Sequence, residues 1–117
     1  MQYMLLIYAN EPDEPTPGTP EFEKHVQGYM ALSQEVKDKG VIVSAEPLEK
    51  IATATTVRVR NGKADVTDGP FAETKEQLGG YYLLDCENLD EAISYAAKIP
   101  SVKFGSVEIR PIMKLPV

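Results

Sequence analysis

Asp68, Glu73, Lys75 and Glu76 fall within one polar run, Asp65–Tyr82 (DVTDGPFAETKEQLGGYY), and the chain carries a single histidine, His25. A carboxylate and an imidazole brought together in a partly dry pocket can exchange a proton near neutral pH, where proton transfer is most effective. Asp68 is a candidate base or acid for such a step, and His25 a candidate partner. Phe71 is the candidate wall of such a pocket, and Glu73, Lys75, Tyr82 and Arg110 are candidates to orient a small polar substrate. Isomerisation, lactone rearrangement and dehydration are steps of this kind, and none needs a cofactor. Each residue also has a plainer role. Asp68 can cap the turn Asp68-Gly69-Pro70, in which Gly tolerates positive φ and Pro fixes its own φ. Glu73, Lys75 and Glu76 can form a solvated row, and Arg110 can pair with Glu108 or a loop acid to pin the last strand.

Other chemistries are excluded by composition. One histidine rules out multi-histidine zinc motifs, and one cysteine rules out an intrachain disulfide or a cysteine metal cluster. No metal site is expected. Cys86 lies between Asp85 and Glu87, whose charges disfavour a thiolate, so it reads as a structural residue. There is no phosphate-binding glycine loop and no Gly-x-Ser-x-Gly elbow. A net charge of −6 and a pI near 4.8, without a basic stripe, argue against nucleic acid and anionic membranes as partners. Contact with a basic protein suits this charge better. The apolar stretch Met4–Ala9 is too short to cross a bilayer and lacks the flanks of a signal peptide, so a cytoplasmic location is expected.

Several elements must position these residues. Tyr3–Tyr8 is apolar on both faces and predicts a central strand. Residues 10–20 hold four prolines, which makes them a connector, either a lid or only a loop. Thr19 then reads as an N-cap with Pro20 at the first helical position, opening a helix over residues 20–39. Phe22, Val26, Tyr29, Met30, Ser33 and Val36 supply its apolar face, with His25 beside it. Val41–Glu46 is a second strand limited by Pro47. Thr55–Arg60 and Lys63–Thr67 around Asn61-Gly62 spell a two-residue hairpin, with Arg58 and Arg60 on one face and Val57 and Val59 on the other. Ala72–Leu78 is helix-tolerant, Tyr81–Cys86 is a strand, Asn88 opens a helix over Leu89–Lys98, and Ser106–Arg110 is a strand stopped by Pro111.

The order β-α-β, hairpin, β-α-β over a single domain of 117 residues is α+β and ferredoxin-like, an antiparallel sheet with both helices on one side. The strands Met4–Tyr8 and Tyr81–Leu84 are too apolar for a wetted second face. Two such sheets are thus expected to pack face to face in a homodimer.

Met4–Tyr8, Thr53–Arg60, Thr67–Tyr82, Leu89–Ala92 and Gly105–Pro111 together resemble the YCII-related family, the central block carrying its DGPF signature. The resemblance implies the dimeric α+β barrel, in which each subunit's sheet closes over the other's. From smaller YciI-type relatives it also implies a pair formed by an aspartate after a strand and a histidine on the first helix, matched here by Asp68 and His25. Two functions follow. One is an enzyme acting on a small polar metabolite by proton transfer. The other is a non-catalytic ligand-binding or accessory dimer, associated with a sigma factor or another transcription partner. Haem or cofactor-free oxygen chemistry rests on analogy with other dimeric α+β barrels alone.

Overall fold

The computed structural model describes residues 1–116, built from six strands and two helices. Strands β1 (Gln2–Ala9), β2 (Ile42–Pro47), β5 (Gln77–Asp85) and β6 (Ser106–Pro111) form one antiparallel sheet in the order β2-β5-β1-β6. Strands β3 (Thr55–Arg60) and β4 (Lys63–Asp68) form a separate two-stranded sheet. Helices α1 (Pro20–Asp38) and α2 (Leu89–Ala96) supply Leu32, Val36, Ala92, Tyr95 and Ala96 to the same core as Tyr3, Leu5, Ile7, Tyr82 and Leu84. This is the ferredoxin-like α+β arrangement.

The expected caps form. Thr19 Oγ1 accepts the Phe22 amide at 3.2 Å, and Asn88 Oδ1 accepts that of Glu91 at 2.9 Å. Asn61 and Gly62 both take positive φ, 52° and 77°, as a tight hairpin requires. Alternation along β1 sends Tyr3, Leu5, Ile7 and Ala9 into the core and leaves Met4, Leu6 and Tyr8 half-buried on the face away from the helices. Tyr81 and Leu83 are paired with Leu6 and Met4 and share that face.

Two details differ from the sequence expectations. Ala72–Leu78 is not helical: the Gln77 amide donates to the carbonyls of Thr74 (2.8 Å) and Ala72 (3.3 Å), and Thr74 Oγ1 donates to that of Glu76 (2.6 Å). These local side-chain bonds hold the backbone away from a helical ladder, and β5 begins already at Gln77. On α1, Val26 and Met30 are exposed while His25 and Tyr29 turn inward, because burial of Leu32 and Val36 sets the helix phase one position round. The sheet of a single chain is open, and the barrel that the resemblance implies is one that two chains would form together.

Candidate functional site

At the end of the sheet where β1 finishes and β5 begins, α1 stands off the strands and leaves a cavity of about 600 Å³. That volume lies in the range of small-molecule sites. Ile7, Ala9 and Ala45 line it from the sheet, His25, Tyr29 and Ser33 from α1, and Leu48–Lys50 from the segment after β2. The connector after β1 adds Glu11 and Glu14, and Ser101 comes from the 3-10 turn Pro100–Lys103.

Its polar groups are arranged in pairs. Tyr29 Oη and Ser101 Oγ share a hydrogen bond of 2.6 Å, and Ser33 Oγ and Tyr82 Oη share one of 2.8 Å. Burial raises both phenols above the ordinary tyrosine range, so they act as neutral hydroxyls. His25 lies between two rings, 5.1 Å from Tyr29 edge-on and 5.8 Å from Phe104 in a tilted stack. Desolvation there lowers its pKa below 6.5, and the nearby charge of Glu14 opposes the shift without cancelling it. At neutral pH His25 is thus an uncharged imidazole, able to accept a proton.

The connector of residues 10–19 is tied across this end of the fold. Glu11 Oε2 accepts the Ile51 amide at 2.9 Å, and Glu14 Oε2 lies 3.6 Å from Lys50 Nζ. Gly105 lets the last strand approach: a Cβ there would collide with the Tyr8 carbonyl and with Ala9. Its neighbour Phe104 is the ring against His25.

Of the residues singled out in the sequence, His25 and Tyr82 line the cavity. Asp68, Phe71, Glu73 and Lys75 are exposed on the hairpin and the segment after it, and the chain does not bring Asp68 to His25. The signature segment is fastened to β3 instead. Gly69, at φ 101°, donates its amide to Ala54 (2.7 Å), Thr56 Oγ1 donates to the Gly69 carbonyl (2.7 Å), and Arg58 donates to that of Phe71 (3.1 Å). Arg110 pairs with Glu108 of its own strand, Nε to Oε2 at 3.0 Å, an exposed contact that raises its already high pKa without tying the strand to another element. Cys86 is buried, and desolvation followed by the nearby Glu91 pushes its thiol up to about 11, in keeping with a structural role. Among the described residues no cluster of three or more His, Cys, Asp or Glu could hold a metal ion, and no helix is long and apolar enough to cross a membrane.

The model of the YCII-related domain matches residues 1–116. The chain belongs to the YCII-related family. An uncharacterised protein of Rhizobium meliloti (strain 1021) is similar to it, with 36% identity over 114 residues that cover 96% of this chain and 92% of the relative. The cavity of this YCII-related chain is also lined by residues that sequence reasoning missed as a group: Glu14, Tyr29, Ser33 and Ser101. One signal was present. His25, Tyr29 and Ser33 recur every four residues and draw a polar stripe down an inward helix face.

Proposed function

We propose that this YCII-related chain binds a small polar metabolite in the cavity beside α1, and that His25 moves a proton on the bound molecule. The observation that carries this reading is His25 itself, an uncharged imidazole between Tyr29 and Phe104, with Glu14 close enough to favour the imidazolium once it has taken a proton. Isomerisation, lactone rearrangement and dehydration are the reaction types this arrangement suits. Asp68 takes part only if a second copy supplies it. We further propose that the chain acts as a homodimer through the open face of its sheet. Met4, Leu6, Tyr8, Tyr81 and Leu83 support this, because one layer of helices leaves that row without a cover.

A thermal-shift screen against small lactones, hydroxy acids, amines and amino-acid derivatives tests the binding, run on wild type, His25→Gln and Asp68→Asn. A ligand at ~100 times its dissociation constant adds about 2.7 kcal/mol, several degrees for a domain of this size. A hit abolished by His25→Gln is expected, and turnover of that hit is then followed directly. Hits that survive His25→Gln unchanged would overturn the assignment. Analytical ultracentrifugation at micromolar concentration tests the dimer, a monomer being the contrary result. The second reading, an accessory dimer with a protein partner, is favoured by Phe71, which is 78% exposed on a polar segment.

A further inference from the structure

Ionisable side chains around the cavity are unbalanced: Glu11, Glu14, Glu46 and Glu49 line it against the single lysine Lys50. Glu11 is committed to the Ile51 amide at 2.9 Å. Among the described residues the Glu14 carboxylate has one cationic partner, Lys50, at 3.6 Å, and that lysine is 67% exposed. A loose pair of this kind contributes little and exchanges readily. His25 adds no positive charge at neutral pH, because its burial between two aromatic rings favours the uncharged form. The tyrosine hydroxyls are already paired with serines, and Ile7, Ala9 and Ala45 give the cavity an apolar floor.

We propose that the ligand of this cavity is an amine, a cationic nitrogen on a compact apolar body, received by Glu14, and that the cavity rejects carboxylates of the same shape. The inference rests on the reading of the cavity as a ligand site. An ammonium group has three donors. It can displace Lys50 from Glu14 and still offer a hydrogen bond to the free lone pair of His25. A carboxylate in the same place meets an excess of like charge, and among the lining residues the one lysine is already turned to Glu14. Selection therefore works by repulsion as well as attraction.

Three probes of matched shape decide the matter: phenethylamine, phenethyl alcohol and phenylacetate, titrated at neutral pH and low ionic strength. The ring resonances of the single histidine report occupancy without assignment. Phenethylamine is expected to bind roughly tenfold more tightly than phenylacetate, a preference that shrinks as salt is added. Glu14→Gln should remove most of that preference. Lys50→Gln should enlarge it, since Glu14 loses its competitor, and this opposite sign separates a charge effect from damage to the fold. Phenylacetate binding as tightly as the amine, or a preference unmoved by Glu14→Gln, overturns the amine assignment and leaves the cavity as a site. If none of the three moves the His25 signals, the cavity reading falls and the amine with it.

Discussion

The cavity end of the four-stranded sheet and the β3–β4 hairpin use the same kinds of residue to opposite effect. In the sheet, Leu5 and Leu84 are 0% and 1% exposed, sealed by both helices. In the hairpin, Val57, Val59 and Val66 line up on one face and remain 60%, 63% and 62% exposed. Alternation built an apolar face in both places, and only one of them has a cover within the chain. Burial is therefore a property of what packs against a strand, while patterning only prepares for it. The same contrast holds for polar groups. The hairpin and its signature segment carry the conspicuous run of charges, all in contact with solvent. The cavity gathers an imidazole, three phenols and four carboxylates, and apart from Tyr81 and Tyr82 they come from segments with no conspicuous motif.

The largest effect expected from this difference is in stability. Leu5→Ala should cost about 2–5 kcal/mol through lost burial and the void it leaves. Val59→Ala in dilute protein should stay within about 0.5 kcal/mol, as an exposed position does. Urea midpoints measure both. A Val59→Ala loss as large as that of Leu5→Ala, growing with protein concentration, would break the comparison by showing the hairpin face covered by a second copy.

Glycine substitutions sharpen it at a smaller scale. Gly105→Ala forces a methyl group against the Tyr8 backbone, an overpacking that costs about 1–3 kcal/mol. It should also disturb Phe104 and so the environment of His25, visible as a shift of the histidine ring signals. Gly69→Ala has open space around it but a φ of +101°, and should cost about 1–2 kcal/mol through backbone strain alone. That variant should leave the His25 signals in place. If Gly69→Ala moves them as far as Gly105→Ala does, the two regions are coupled.

The smallest effect is in pH dependence. The native pKa of His25 lies below 6.5, so between that lowered midpoint and 6.5 the unfolded chain binds more protons than the folded one. The contribution of His25 is complete above 6.5 and is lost as pH falls through the native midpoint. Stability of wild type should accordingly rise with pH across that window. His25→Gln should flatten that segment of the profile, and an identical slope in the variant would show that His25 is not the group responsible.

Much of the fold was legible because its signals are local. Thr19 and Asn88 cap helices through bonds that span three residues, Asn61-Gly62 closes a turn of two, and a continuous apolar run marks β1 as a central strand. Ala72–Leu78 was not legible, since Gln77 and Thr74 satisfy the backbone in a way that helix propensity does not register. The helix phase at Val26 and Met30 was missed for a related reason. Both an inward and a shifted stripe are partly apolar, and only contact with the sheet chooses between them.

By itself the sequence determined the element order, the hairpin, the antiparallel α+β class and the limits set by one histidine and one cysteine. All of these follow from backbone sterics, short-range hydrogen bonds and composition. Only the tertiary structure decided that His25 shares a cavity with Glu14, Tyr29 and Ser101, that Asp68 stands away from it, and that Arg110 is spent on Glu108. Tyr29 and Ser101 lie 72 positions apart and meet at 2.6 Å, a contact fixed by how α1 and the last 3-10 turn dock on one sheet and by no periodicity along the chain.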